Sequence, residues 1–118
     1  AALVKDLDRR GLLDETLVVC TTEHGRTPKI TSQDQGGRDH WSRAYSSILA
    51  GGGLARGRVI GTTDRIAGDV ADSPVSPKDI LATMYHLMGV DPNAIIKDNS
   101  GREFRVAGEG QLLPEVIA

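Results

Sequence analysis

The chain has 118 residues, of which 39% are hydrophobic and 25% charged, and its formal net charge is −2. This composition is ordinary for one soluble globular domain. Aromatic residues make up only 3% of the chain. Scarce aromatics and a negative net charge disfavour nucleic-acid binding, which needs base stacking and cationic surfaces. Since no apolar run approaches the roughly 18 residues of a transmembrane helix, the composition predicts a soluble protein without nucleic-acid or membrane partners.

The first elements along the chain are predicted to be a helix and a buried strand. Leu3, Val4 and Leu7 are spaced for one face of a helix, and Gly11 matches the glycine that follows a helix C-terminus. Residues 16–20 form a β-branched and aliphatic run, typical of a strand buried on both faces of a parallel sheet. Such a unit predicts a layered α/β fold. Because no strand precedes the helix, we expect the chain to be the carboxyl-terminal part of a larger domain.

The single cysteine, Cys20, lies inside the predicted strand. A free cysteine of this kind usually behaves as a small apolar residue, so we expect it to be buried. It has no partner within the chain for a disulfide bond.

Polar residues follow the predicted strand directly, in the order Thr-Thr-Glu-His-Gly-Arg. Ligands bind beyond the carboxyl ends of strands in open α/β sheets, so Glu23 and His24 are candidate site residues. A polar loop then leads to His40. Carboxylate and neutral imidazole groups suit zinc or manganese, and the three side chains are predicted to converge in one cleft. The alternative is a capping carboxylate, surface histidines and salt-bridged arginines without a metal.

A second strand is predicted at residues 45–50, followed by three glycines at 51–53. The glycines lack the Lys-Ser/Thr ending of a phosphate-binding loop, so they predict a flexible turn. Residues 54–60 are expected to form a turn and a short strand, and residues 61–73 to be irregular. The tail of the chain, which contains Gly101, Gly108, Gly110 and Pro114, is predicted to form turns and one short hairpin.

The second helix is marked by its ends. Ser76 is a candidate N-cap, Pro77 suits the first helical position, and Asp79 lies in the first turn. Gly89 is expected to end the helix. His86, within this helix, is interpreted as a surface or structural histidine rather than a ligand.

Four ordered segments of the chain, at residues 23–29, 37–41, 49–53 and 79–92, resemble the sulfatase-like family of unknown function within the alkaline phosphatase superfamily. The resemblance implies that residues 1–118 are the carboxyl-terminal part of one alkaline-phosphatase-like layered α/β domain with a mostly parallel sheet.

The resemblance also implies a function. In that superfamily an Asp-His-Gly segment after a strand and a later loop histidine bind metals, which maps to Glu23, His24 and His40, with Glu23 standing where the pattern has aspartate. The cofactor would be a divalent metal, zinc first, with manganese or calcium as alternatives. The activity would be hydrolysis of sulfate or phosphate esters of small molecules or saccharides, with the nucleophile supplied by the preceding part of the domain. Arg26 and Arg38 would bind the ester oxygens, since a guanidinium offers a planar fork of donors.

Two alternatives accompany this interpretation. The arginines are equally well explained as surface charges. The whole chain is also explained as a non-catalytic binding or structural protein that retains the fold. In either case we expect self-association or association with the amino-terminal part, because uncovered sheet edges and helix faces attract partners. The resemblance to sulfatase-like proteins favours export.

Overall fold

The computed structural model describes residues 1–32 and 36–118. In chain order the helices and strands are α1 (Ala2–Arg9), β1 (Val18–Cys20), β2 (Gly25–Arg26), β3 (His40–Trp41), β4 (Ile48–Ala50), β5 (Thr62–Thr63), β6 (Val70–Asp72), α2 (Pro77–Leu87), β7 (Ile95–Lys97) and β8 (Glu103–Arg105). Short 3-10 turns at Leu13–Glu15 and Pro114–Val116 complete the list.

The strands pair as four separate two-stranded antiparallel sheets, β1 with β4, β2 with β3, β5 with β6 and β7 with β8. The prediction of a layered α/β domain with a mostly parallel sheet was therefore wrong. Parallel neighbours need a crossover connection, usually a helix. The described residues between β1 and β4 form the β2–β3 ribbon and contain no helix, so the chain returns alongside β1 in the opposite direction.

The helix α1 confirms the predicted element. It ends at Arg9, and Gly11 adopts a left-handed φ of +68° just beyond it, as expected for a glycine that terminates a helix. None of its residues is buried. Val4 and Leu7 are half-buried and Leu3 is exposed, so the apolar face is only partly covered by the described part of the chain.

The helix α2 forms with the predicted capping. Asp79 N donates to Ser76 Oγ over 3.2 Å, and Ser76 N donates to Asp79 Oδ2 over 2.7 Å, which makes a reciprocal capping box. Pro77 is the first helical residue, and Gly89 follows the last turn with φ +78°. The buried Thr83 hydroxyl accepts a hydrogen bond from Leu113 N over 3.1 Å, which fastens the tail to this helix.

The predicted glycine turn after β4 is confirmed. Gly51, Gly52 and Gly53 all have positive φ angles, and a side chain at Gly51 would overlap the carbonyl oxygens of Leu13 and Thr16. Glycine is required there because the backbone passes so close to the preceding turn.

The chain between this turn and α2 differs from the prediction. The short strand expected within 54–60 does not form, and Leu54 makes only an isolated bridge to Ile117. Residues 61–73, expected to be irregular, contain the β5–β6 hairpin. Both strands of this hairpin are exposed, so they lack the apolar alternation from which a strand is predicted.

The predicted hairpin in the tail is present and begins earlier than expected, pairing β7 with β8.

Little of the described chain is buried. The buried apolar residues are Leu13, Ala44, Ala82 and Ala107. Cys20 is exposed, contrary to the prediction, because β1 has a single partner strand and an uncovered edge. Large apolar side chains are exposed along the whole chain: Leu3, Leu12, Ile30, Ile48, Val59, Ile66, Val70, Leu81, Met88, Val90, Ile95, Ile96, Phe104 and Leu112. Within residues 1–32 and 36–118 no helix is both long and apolar enough to cross a bilayer.

Candidate functional site

Two of the predicted metal ligands meet in the structure. The imidazole rings of His24 and His40 are stacked with their centroids 5.0 Å apart and their planes inclined by 23°. The β2–β3 ribbon causes this approach, because His24 immediately precedes β2 and His40 begins β3. In the register Gly25 lies opposite Trp41 and Arg26 opposite His40.

Gly25 permits the close packing of this ribbon. A side chain at this position would overlap the carbonyl oxygen of Ala44 and lie 3.1 Å from that of Trp41. The glycine of the His-Gly-Arg segment is therefore needed for close backbone approach. The same approach brings the segment that carries His40 towards His24.

Glu23 precedes His24 in the chain, and its side chain contacts the neighbouring Thr22. Thr22 Oγ1 lies 3.4 Å from Glu23 Oε2 and 3.1 Å from the carbonyl oxygen of His24. The pKa of Glu23 is lowered from its ordinary value, first by a hydrogen bond from its own backbone N–H and then by the Thr22 hydroxyl. Smaller contributions come from the charges of His24 and His40, whereas desolvation opposes the shift. The carboxylate is thus the favoured form near both imidazoles.

The His24 ring has an available nitrogen. His24 Nδ1 is buried and has no hydrogen-bond partner among the described residues. Buried polar atoms are nearly always paired, so an unpaired one calls for an explanation. A metal ion or a ligand donor would supply the missing partner, and imidazole nitrogen with carboxylate oxygen is a suitable donor set for zinc.

The present side-chain arrangement does not form a complete metal site. No group of three or more His, Cys, Asp or Glu residues is arranged to hold a metal within the described ranges. Stacked rings direct their nitrogen lone pairs side by side, whereas ligands of one metal converge. Glu23 and the exposed His40 would have to rotate before a shared ion could bind with His24.

The two predicted arginines lie on the same ribbon. Arg26 is directly opposite His40, and residues opposite each other in an antiparallel pair project from the same side. Arg38 is exposed and precedes His40 by two positions. Neither arginine forms an ion pair with another described residue. Both guanidinium groups are therefore accessible to an anion approaching the histidine pair.

Asp39 connects the same two segments through its backbone. Thr27 N donates to the carbonyl oxygen of Asp39 over 3.0 Å, and Asp39 N donates to Thr27 Oγ1 over 3.1 Å. These bonds extend the ribbon beyond Arg26 and fix the path of the chain into His40.

The sequence interpretation missed residues that support the site from outside. Trp41 Nε1 donates to the carbonyl oxygen of Gly68 over 2.6 Å, and Asp64 Oδ1 accepts from Gly68 N over 2.7 Å. The separation of Asp64 and Gly68 is a usable signal, since an aspartate often binds backbone amides a few residues ahead of it in a turn. Nothing in the sequence indicates that this turn contacts Trp41.

Over residues 1–32 and 36–118 the fold and the site together define a small domain with short antiparallel two-stranded sheets, two α-helices and a stacked histidine pair on one ribbon. Residues 1–117 match the family described as protein of unknown function (DUF1501), and the chain belongs to that family. No curated protein matches the chain. No solved structure matches it either.

This membership corrects the family expectation drawn from the sequence. The matched family has no described function, and nothing in the comparisons links it to the sulfatases or to the alkaline phosphatase superfamily. The assignment to a sulfatase-like family was therefore wrong. The candidate residues stand on their geometry alone.

Proposed function

We propose that this chain supplies metal-binding residues to a divalent-metal-dependent hydrolase of sulfate or phosphate esters. The observation that carries the proposal is the stacking of His24 and His40, together with the unpaired His24 Nδ1 and the Glu23 carboxylate next along the chain. Two imidazoles that meet from distant segments are potential donors to one ion, and Glu23 would join them only after its side chain moves.

In this proposal His24 and His40 would hold the ion through ring nitrogens, and Glu23 would be the third protein ligand, once the exposed side chains of Glu23 and His40 rotate. Zinc is the preferred ion because nitrogen ligands dominate, with manganese or calcium as alternatives. When bound, such an ion polarises the ester oxygen and stabilises the negative charge that develops there. Further donors and the attacking nucleophile would come from another part of the assembled protein.

The anion preference rests on Arg26. Its guanidinium projects from the same side of the ribbon as His40, and a guanidinium can donate two parallel hydrogen bonds to sulfate or phosphate oxygens. Arg38, two residues before His40, provides a second cation. The substrate class proposed is accordingly a small-molecule or saccharide ester of sulfate or phosphate.

A second candidate function is non-catalytic binding. The observation that favours it is the large number of exposed apolar side chains, including Ile48 at 68% and Val59 at 91% exposure. Surfaces of this kind occur where one protein packs against another. In that case the histidine pair would be structural, and metal would not affect the protein.

Calorimetry with zinc and manganese distinguishes the two candidates. We expect His24→Ala and His40→Ala each to weaken zinc binding by about tenfold or more, as for the loss of a ligand or its close support. The third histidine, His86, is exposed on α2, so His86→Ala is the matched control and should leave binding unchanged. Equal affinity in all four proteins, or no binding in the wild type, would refute the metal site.

An activity measurement completes the test. We expect hydrolysis of an aryl phosphate or aryl sulfate by the intact protein to stop on chelation and to return with zinc. Metal binding without hydrolysis of either ester would retain the site and remove the proposed reaction.

A further inference from the structure

The strand that carries His40 is fastened to a distant turn by one side chain. Trp41 follows His40 in β3, and its Nε1 donates to the carbonyl oxygen of Gly68 over 2.6 Å in a half-buried environment. The Arg43 guanidinium carbon lies 5.7 Å from the centre of the Trp41 ring, and Arg43 Nε contacts Asp69 Oδ1 at 2.7 Å. Trp41 and Arg43, two positions apart in the chain, thus contact the same turn at Gly68 and Asp69.

The turn that accepts these contacts is itself held by an aspartate. Asp64 Oδ1 accepts hydrogen bonds from Ile66 N over 3.2 Å and from Gly68 N over 2.7 Å. Ala67, between them, has a left-handed φ of +56°, which an alanine adopts only when its surroundings fix it. Backbone bonds from Asp64 N to the Asp69 carbonyl and from Ala67 N to the Asp64 carbonyl close the same turn. The Asp64 carboxylate, which binds Gly68 N directly, therefore contributes to the direction of the Gly68 carbonyl.

The β2–β3 ribbon needs this external support. Each of its strands has two residues, and an isolated two-stranded hairpin is marginally stable in water. The backbone bonds of the ribbon, including those between Thr27 and Asp39, set the place of His40 within the ribbon. The bond from Trp41 to the Gly68 carbonyl adds a tie between this strand and the β5–β6 turn, at the residue next to His40.

We infer that Asp64 and Trp41 are positioning residues for His40, with Asp64 acting through the Gly68 carbonyl and the Trp41 indole. The inference is tested in two ways. The measurement of zinc affinity rests on the proposed metal-binding function, whereas the measurement of the contact between the two histidine rings in the metal-free protein does not. It assigns a role to the β5–β6 hairpin.

The chain contains a matched control for Asp64. Asp98, at the turn of the β7–β8 hairpin, also accepts two backbone hydrogen bonds through Oδ1, from Ser100 N over 2.8 Å and from Arg102 N over 3.0 Å. Replacing Asp98 loosens a turn of the same kind that has no link to Trp41. A difference between the two variants therefore reports positioning rather than loss of a turn.

The first readout is zinc affinity, measured by calorimetry for wild type, Asp64→Ala, Asp64→Asn and Asp98→Ala. We expect Asp64→Ala to weaken binding about fivefold, which corresponds to the net value of one hydrogen bond. Asp64→Asn keeps an acceptor oxygen and should restore wild-type affinity, and Asp98→Ala should leave it unchanged. Equal losses in Asp64→Ala and Asp98→Ala would mean a general effect on stability and would overturn the inference.

The second readout uses the metal-free protein. The ring protons of His24 and His40 should show a nuclear Overhauser contact in the wild type, in Asp64→Asn and in Asp98→Ala, and lose it in Asp64→Ala. Trp41→Phe, which keeps an aromatic ring and removes the Nε1 donor, should lose it as well. Retention of the contact in both Asp64→Ala and Trp41→Phe would overturn the inference even if zinc binds.

The two readouts separate the failures. If the wild type does not bind zinc and the contact still depends on Asp64, the proposed function fails and the positioning role stands. If zinc binds to the wild type and Asp64→Ala does not weaken that binding, the positioning role fails and the proposed function stands.

Discussion

His24 and His40 stack ring on ring, with centroids 5.0 Å apart, although a polar loop separates them in the chain. Gly25 and the β2–β3 register create this contact, since His24 leads into β2 and His40 begins β3. The pair is the centre of the proposed site, and most of the following predictions concern it or the segments that hold it.

The first prediction is the pH dependence of zinc binding. An imidazole must be neutral to bind a metal, so zinc affinity should fall as the pH is lowered from about 8 to about 5. Glu23 does not cause this loss, because its pKa is lowered from 4.5 and its carboxylate stays charged over the whole range. Calorimetry at several pH values measures the effect. A pH-independent affinity would exclude histidine ligands.

The second prediction concerns the anion. Arg26→Ala should weaken binding of inorganic phosphate or sulfate to the zinc-loaded protein about tenfold, since a charge-assisted guanidinium contact is lost. Arg26 lies opposite His40, whereas Arg105 lies opposite Ile95 in the last hairpin, so Arg105→Ala is the control. Titration of the anion by calorimetry compares them. Equal anion affinity in both variants would place the anion site elsewhere.

The third prediction tests the tight ribbon. Gly25→Ala should destabilise the chain by about 3 kcal/mol, because the new methyl group would overlap the Ala44 carbonyl oxygen. Gly108→Ala is the comparison: it has open space and a φ of +62°, so it should cost only about 1 kcal/mol of backbone strain. Urea unfolding gives both values. A Gly25→Ala cost no greater than that of Gly108→Ala would contradict the close approach.

The fourth prediction concerns the cap of α2. Ser76→Ala should cost about 1 kcal/mol, the usual value of an N-cap. Asp79→Ala should cost more, about 2 kcal/mol, because Asp79 also accepts from Gln111 N over 2.8 Å and so holds the tail. The exposed Asp14, replaced by alanine, is the control. Urea unfolding at neutral pH ranks the three variants.

The ionisation of Asp79 is expected to make the free energy of unfolding depend on pH. Desolvation alone would raise the pKa of Asp79, but hydrogen bonds from Gln111 and Ser76 outweigh it and the pKa lies below its ordinary value of 3.8. The charged form is therefore favoured in the folded state. Its contribution is present above that value and is lost as the pH falls through the lowered pKa. The difference in stability between wild type and Asp79→Ala should accordingly shrink in acid, and a constant difference would contradict the shift.

The fifth prediction concerns self-association. Ile96 and Phe104 are paired across the β7–β8 hairpin and are 42% and 45% exposed. Neighbouring apolar side chains form a patch, so Phe104→Glu should reduce self-association in sedimentation experiments. Val59→Glu tests the alternative contact surface, because Val59 is 91% exposed in an irregular segment outside this hairpin. A monomeric wild type, or equal effects of both variants, would exclude the hairpin as the contact.

Local structure in this chain follows from local sequence. The helix α2 begins at Ser76 and Pro77 and stops before Gly89 as their capping and backbone preferences dictate. The end of α1, followed by Gly11, is equally direct. In each case the deciding interactions lie within a few residues of one another, so spacing and residue type suffice.

The sheet arrangement was decided only by tertiary structure. The apolar run of β1 reads as a strand buried in a parallel sheet, yet it pairs antiparallel with β4 and leaves Cys20 exposed. An aliphatic run fixes that a strand forms, but its partner depends on the path of the intervening chain. The family resemblance misled the fold assignment for the same reason, because it rests on short segments rather than on their connections.

The candidate site divides in the same way. The sequence indicated which side chains are candidates for binding a metal or an anion, since Glu23, His24, Arg26, Arg38 and His40 are recognisable by type near a strand end. Only the tertiary structure decided that His24 meets His40, that Arg26 shares its side of the ribbon, and that Trp41 is tied to the Asp64 turn. These contacts join residues that are far apart in the sequence. They depend on the register of β2 with β3 and on the direction of the Gly68 carbonyl, and no single residue of the sequence specifies either of these.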